Sequence, residues 1–164
     1  MSGDRLAALV LVDTLGLTDF RPSPEFGAAL NQFYSAPGEH SHDRLWSQCV
    51  LDLPAVRRQL GGQWELIKAY NLVSMQTPGR IGALAGLMEQ FGVAAIPPAA
   101  LAQITTPTTL IWGRHDRATP LSVAEEASAR YRWRLQTIEG AADDPALEQP
   151  EAFLRALRQA LEAW

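Results

Sequence analysis

Residues 108–120 read TTLIWGRHDRATP, and the two halves of this stretch ask for different backbones. Thr108 to Trp112 is a short run rich in β-branched and apolar residues, and Gly113 ends it, which predicts a strand. Pro120 then opens a helix from about Leu121 to Tyr131, at a position where its fixed φ costs nothing. Working outward, Trp133 to Ile138 alternates as a second strand and stops at Gly140. Pro150 starts a last helix that carries Phe153, Leu154, Leu157, Leu161 and Trp164 on one face. Strand, helix, strand, helix with short connections predicts parallel α/β structure.

Upstream, Leu6 to Val12 is continuously apolar. That suits a strand buried on both faces of a parallel sheet, with neighbours on both sides. From Thr18 to Gln103 the pattern becomes helical and is broken repeatedly by proline, as at Pro22, Pro37, Pro54 and Pro97-Pro98. Helices are expected from Pro24 through Tyr34, from Ser41 to Leu51 and from Gln63 to Met75. A fourth carries Ile81 to Phe91, with Thr77-Pro78 as its N-cap and first position and Gly92 as its stop. The block shows no strand signal, no internal repeat and no low-complexity segment. The whole chain thus reads as a strand, a helical insertion, then β-α-β-α.

The 164 residues fit one domain, and 47% hydrophobic with 20% charged residues is ordinary for a soluble globular chain. A net charge of −4, with basic residues scattered apart from Arg57-Arg58, argues against nucleic acid as a partner. The run LAALVLV is too short to span a bilayer, and Asp13 and Thr14 close it where a signal peptide would have a cleavage site. No membrane partner is expected. Cys49 is the single cysteine, so no internal disulfide can form, and a cytoplasmic setting is expected.

Two further stretches carry a resemblance. Ile104–Tyr131, ITTPTTLIWGRHDRATPLSVAEEASARY, and Arg134–Leu161, RLQTIEGAADDPALEQPEAFLRALRQAL, together resemble the C-terminal part of the α/β-hydrolase superfamily. In that family a strand runs into G-x-x-D-x-x-x-P, and a further strand leads to G-x-G-H, E-x-P and an amphipathic helix. The opening DRLAALVLVDTLGL, Asp4–Leu17, resembles the strand that follows the nucleophile-bearing helix. The resemblance implies a partial α/β-hydrolase fold, with three parallel strands and a helical cap insertion. Residues 1–17 and 104–164 would form the core and 18–103 the cap or lid. It implies a hydrolase of esters or related bonds acting on a small-molecule substrate through Ser-His-Asp chemistry, with no cofactor and no metal.

Residue by residue, the resemblance places the triad acid at Asp116, four residues past the strand. There its carboxylate would orient a histidine and stabilise the imidazolium. Two departures stand out. No G-x-S-x-G occurs among the 164 residues, so the nucleophile elbow and oxyanion loop are expected in a preceding half, and Met1-Ser2-Gly3 reads as an internal start. Asp143 occupies the family's histidine position, and an aspartate with a pKa of roughly 4 is no general base at pH 7 unless burial raises it. The isolated chain is therefore expected to be inactive.

Other candidates have plainer explanations beside the functional ones. Asp116 could cap the helix that begins near Pro120. Asp143-Asp144 could be an acid dyad or a metal pair, though consecutive loop carboxylates are more often solvated. Asp13, at the end of the first strand, is an alternative acid whose commoner family role is structural. His115 adjoins Asp116, but neighbours in sequence point apart. His40 and His42, with Glu39 and Asp43, look like metal ligands. Residues two apart do not share a helix face, however, so a surface helix start is expected. Trp46, Trp64, Tyr70 and Phe91, with Met88, could line a substrate pocket or simply pack cap helices together. The alternative to the hydrolase reading is a non-catalytic module. Its three-stranded sheet would leave an edge exposed, which predicts marginal stability and homo-oligomers or pairing with a partner chain.

Overall fold

The computed structural model describes residues 6–162. Its centre is a parallel sheet in the order β1-β2-β3, formed by β1 (Leu9–Val12), β2 (Thr108–Gly113) and β3 (Arg134–Ile138). The expected α/β architecture with three parallel strands is therefore present. β2 lies in the middle, pairing Leu110 with Leu11 on one side and with Leu135 on the other. All six of its residues are buried. Alternation along a strand sends successive side chains to opposite faces. Leu110 and Trp112 pack with Ala124 and Ala127 of α7 (Leu121–Tyr131), while Ile111 packs with Ala156 of α9 (Pro150–Glu162). One helix thus covers each face of the sheet. Burying side chains such as Leu110 and Ile111 contributes about 2 kcal/mol each. The Trp112 indole N–H donates to the Thr119 carbonyl at 2.8 Å, so its one polar group is satisfied in the core.

β1 departs from expectation. It starts at Leu9 rather than Leu6, and its burial is partial, with Val12 37% exposed. Its apolar run suits a two-sided neighbourhood, but among the described residues it pairs with β2 alone. The two-face burial expected of β1 belongs to β2.

Between β1 and β2 the chain is helical: α1 (Pro24–Ser35), α2 (Glu39–Cys49), α3 (Leu53–Leu60), α4 (Gly62–Gln76), α5 (Arg80–Leu87), a π-helical turn over Met88–Gly92, and α6 (Pro98–Leu101). The caps explain where several boundaries differ from expectation. The Ser41 hydroxyl accepts the Gly38 N–H, so Ser41 sits inside the first turn of α2, and the helix begins at Glu39. The Thr77 hydroxyl donates to the Val73 carbonyl and closes α4, while Gly79, at φ 82°, leads into α5. Thr77 thus ends one helix instead of starting the next. α3 was hidden by Pro54, which stands in the first turn after the cap Asp52 rather than breaking a helix. The core of this block is Val50, Leu53, Val56 and Trp64, and Leu147 of α8 (Pro145–Glu148) packs against it. No helix among the described residues is long and apolar enough to cross a membrane.

Gly113 holds the end of β2 in place, though not by turning the chain at positive φ. A Cβ there would lie 1.7 Å from the Ala142 carbonyl oxygen, because the loop after β3 crosses directly over the strand end. The His115 N–H donates to the Ala141 carbonyl at 3.0 Å and the Arg114 N–H to Ile138 at 3.1 Å, fixing that crossing. Gly113→Ala forces the two backbones apart and is expected to cost about 3 kcal/mol. Urea denaturation measures this, and an unchanged midpoint would contradict the close approach.

Candidate functional site

The C-terminal ends of the three strands carry Asp13, Asp116 and the Asp143-Asp144 pair, each in the loop that leaves its strand. In parallel sheets this edge is where loops converge. Asp13 follows β1 at φ 37°, and its Oδ1 accepts the Gly113 N–H at 2.9 Å. Asp116 follows β2 and is 6% exposed. Its Oδ1 accepts the N–H groups of Ala118 at 2.7 Å and Thr119 at 2.8 Å, an Asx-type turn that shapes the loop before α7. The carboxylate therefore organises the loop and is not the cap of α7. The Oδ2 atoms of Asp116 and Asp13 are buried with no hydrogen-bond partner. His115, next in sequence, is exposed, so neighbours in sequence do point apart here.

Asp143 and Asp144 lie in the β3–α8 loop and are half-buried, not freely solvated. The Asp143 N–H donates to the Cys49 carbonyl at 3.0 Å, which ties this loop to the C-terminus of α2. Asp144 caps α8. Glu148 joins the two halves of the chain: its carboxylate accepts the Leu51 N–H at 2.5 Å and the Ala142 N–H at 2.6 Å. Arg117 adds contacts to the Ser47 and Gln48 carbonyls at 3.0 and 3.2 Å. Each contact is short-range, and together they set the end of α2 against the strand ends.

Burial dominates the protonation of this cluster. It pushes the Asp13 carboxyl up to about 8, with the charges of Asp116, Asp143 and Asp144 adding to it against the Gly113 hydrogen bond. Burial raises Asp143 to about 7, reinforced by Asp116, Asp144 and Glu148. Asp116 is raised to about 6 by burial, offset by its two backbone hydrogen bonds. Asp144 and Glu148 are also raised by burial. The Cys49 thiol beside them is pushed up by burial and by the surrounding carboxylates, which makes it a poor nucleophile.

The expected pocket residues separate. Trp46 lines a cavity of about 250 Å³ within the helical block, together with Phe33, Tyr34, Leu45, Cys49 and Met75 among others. Trp64 is 2% exposed and belongs to the core of the block, stacked edge-on to Trp46 with centroids 5.2 Å apart. Tyr70 and Phe91 face outward, 66% and 64% exposed. His42 is fully buried rather than at a surface helix start. Phe33, Trp46 and Trp64 surround its ring, and its nitrogens meet Asp43 at 3.4 Å and Asn71 at 3.2 Å. Burial lowers its pKa. Among the described residues, no group of three His, Cys, Asp or Glu side chains is placed to hold a metal ion.

No family model matches the sequence, and no curated protein matches it significantly. Solved structures do match. The 2-hydroxy-6-oxo-6-phenylhexa-2,4-dienoate hydrolase of Rhodococcus sp. strain RHA1 aligns over 96% of this chain and 56% of its own, with TM-score 0.74 and 21% identity. A serine hydrolase of the polyaromatic-hydrocarbon-degrading bacterium Cycloclasticus zankles aligns over 96% and 56%, with TM-score 0.76 and 17% identity. A thermophilic esterase of Thermogutta terrifontis aligns over 98% and 57%, with TM-score 0.69 and 22% identity. The chain thus spans a little over half the length of these neighbours, and at such identities the likeness concerns the fold alone.

A folded-state pKa above the unfolded value near 4 means that folding takes up protons. The stability from protonated Asp13, Asp116 and Asp143 is full below about pH 4 and is lost as pH rises through 6, 7 and 8. His42 acts oppositely, because its lowered pKa costs stability as pH falls below about 6.5. The melting temperature is expected to fall between pH 6.5 and 8.5, and Asp13→Asn is expected to flatten that fall. A melting temperature that rises over this range would contradict the site geometry.

Proposed function

We propose that this chain, which has the C-terminal part of the α/β-hydrolase fold, carries the acid loop and the substrate-facing cap of a hydrolase. Its substrates would be small apolar acyl compounds. In this reading residues 1–17 and 104–164 are core and 18–103 are cap. Asp116 stands at the acid position and Asp143 at the base position. The observation that carries the reading is a shared residue. Cys49 lines the apolar cavity of the helical block and bonds through its carbonyl to Asp143 in the strand-end loop. A substrate held against Phe33, Tyr34 and Trp46 would extend toward the carboxylates. Two of the neighbours are named as a thermophilic esterase and a 2-hydroxy-6-oxo-6-phenylhexa-2,4-dienoate hydrolase.

The chemistry available to these residues is limited. The Asp116 carboxylate has an Oδ2 without a donor, which is the acceptor an imidazole N–H would use. Asp143, raised to about 7, can hold or release a proton near neutrality, but a carboxylate lacks the paired ring nitrogens by which an imidazole is oriented by the acid on one side and takes a proton on the other. We therefore assign the 164 residues a binding and positioning role in a cytoplasmic setting, with no hydrolysis of their own. A second reading is a non-catalytic module that self-associates or pairs with another chain through the edge of β1. It is favoured by the partial burial of that strand, which pairs with β2 alone among the described residues.

The assignment of Asp116 and Asp143 to facing roles is tested by Asp143→His. The introduced imidazole is expected to titrate above the ordinary value of about 6.5, by roughly one unit, and to fall back in the double variant with Asp116→Asn. NMR of the imidazole protons reads both values. An imidazole indifferent to Asp116→Asn would contradict the assignment. The unmodified chain is expected to show no turnover of activated esters, and turnover abolished by Asp116→Asn would overturn the inactive reading.

A further inference from the structure

The outward side of α4 is apolar and exposed. Leu66, Tyr70 and Val73 stand at i, i+4 and i+7, so they share one side of the helix. The opposite side carries Trp64, which is buried, and Asn71 and Met75, which line the cavity of the helical block. α5 continues the outward side. The Arg80 guanidinium lies over the Tyr70 ring, 5.8 Å from its centroid. Ala83 and Leu87 follow Arg80 at i+3 and i+7, along the same side of α5. Phe91 comes next, in the π-helical turn. Leu66, Tyr70, Val73, Leu87 and Phe91 are each between 56% and 72% exposed.

Together these five side chains expose on the order of 600 Å² of apolar surface. The largest patch on an ordinary monomer is about 300–600 Å². With the exposed Ala69, Ala83 and flanking polar residues added, the face approaches the roughly 800 Å² that each partner contributes to a stable interface. The face is also poor in charge. Between Leu66 and Met88 the sequence has two charged residues, Lys68 and Arg80. The Lys68 side chain is 15% exposed and pairs with Glu65 at 2.8 Å, and Arg80 donates to the Ser74 hydroxyl. Few charges around a centre of Tyr, Phe and Leu is the composition of an interface core. A helix that lies on a lipid surface relies on several exposed Lys or Arg beside its apolar side, which this stretch lacks.

The spacing on α4 is self-complementary. Positions 66 and 73 are equidistant from a point between Ala69 and Tyr70. A second α4 crossing antiparallel about a two-fold axis at that point meets each Leu66 with the partner's Val73. Ala69 is small and exposed, which leaves room at the crossing for the partner's Tyr70. We propose that two copies of this chain pair through the outward side of α4, antiparallel about that axis, with Leu87 and Phe91 flanking the contact. A face without a charge of either sign to select an opposite one is matched best by its own composition. Arg80 steadies the Tyr70 ring at the centre. This surface is separate from the edge of β1 and from the strand-end carboxylates.

The test is sedentation equilibrium of the full chain from about 1 to about 100 µM. A species of twice the 18.0 kDa chain mass is expected to dominate at the upper end. Leu66→Lys alone and Val73→Glu alone are each expected to weaken the pairing by about a hundredfold. Both positions are exposed, so neither charge is forced into the core. Mixing the two variants is expected to restore a dimer, because Lys at 66 of one copy then faces Glu at 73 of the other. A monomer at every concentration would overturn the proposal, and this reading of the unmodified chain stands even if a variant does not fold. A dimer unchanged by either substitution would overturn it too, since pairing would then use another surface. Loss of the dimer in both variants without recovery on mixing would overturn the antiparallel two-fold arrangement.

Discussion

The backbone of Gly113 passes so close to the Ala142 carbonyl that a Cβ would sit 1.7 Å from its oxygen. That approach presses the loop after β3 against the end of β2. Because of it, Asp116 and Asp143 share one region although they leave different strands. The hydrogen bonds from Arg114 and His115 to Ile138 and Ala141 hold the two loops at that spacing. A larger residue at position 113 would separate the carboxylates before altering any of them chemically.

Glu148 extends the same arrangement into the helical block. By accepting from Leu51 and Ala142 it connects the α2–α3 junction with the β3–α8 loop, and Leu147 places an apolar side chain in the core of the helical block beside it. The cavity walled by Trp46 and Cys49 is thereby set beside the acidic strand ends. Aromatic walls and partly protonated carboxyls are brought together by a few backbone contacts, each worth about 1 kcal/mol. Burial raises the Asp13 and Asp143 carboxyls and so favours their neutral forms, which eases the repulsion among the gathered carboxylates.

Much of this was legible in the sequence where the signal is local. The strand of residues 108–113, the α7 and α9 helices and the parallel sheet follow from short apolar runs bounded by glycine and proline. The loop that carries Asp116 was legible through the spacing from Gly113 to Asp116 and Pro120. What escaped depends on contacts distant in the chain. Nothing near His42 in sequence announces the Phe33, Trp46 and Trp64 rings that bury it. Periodicity placed Tyr70 and Phe91 on apolar helices but could not say which face lay outward. The apolar run of β1 suggested neighbours on both sides, whereas burial of that kind falls on β2, which has them. Glu148 reads as one letter of an E-x-P motif, and its bridging of Leu51 and Ala142 appears only once a loop 97 residues away folds onto it.

The placement of the acidic groups is the point on which everything else turns, and carbon-detected NMR of the aspartate carboxyls over pH 3 to 9 measures it most directly. Three aspartates are expected to titrate far above the ordinary range, near 6, 7 and 8, assigned to Asp116, Asp143 and Asp13 by single Asn substitutions. If every aspartate instead titrates near the ordinary value of about 4, the strand-end carboxyls are neither buried nor gathered, and both the site and the roles proposed for its residues fall.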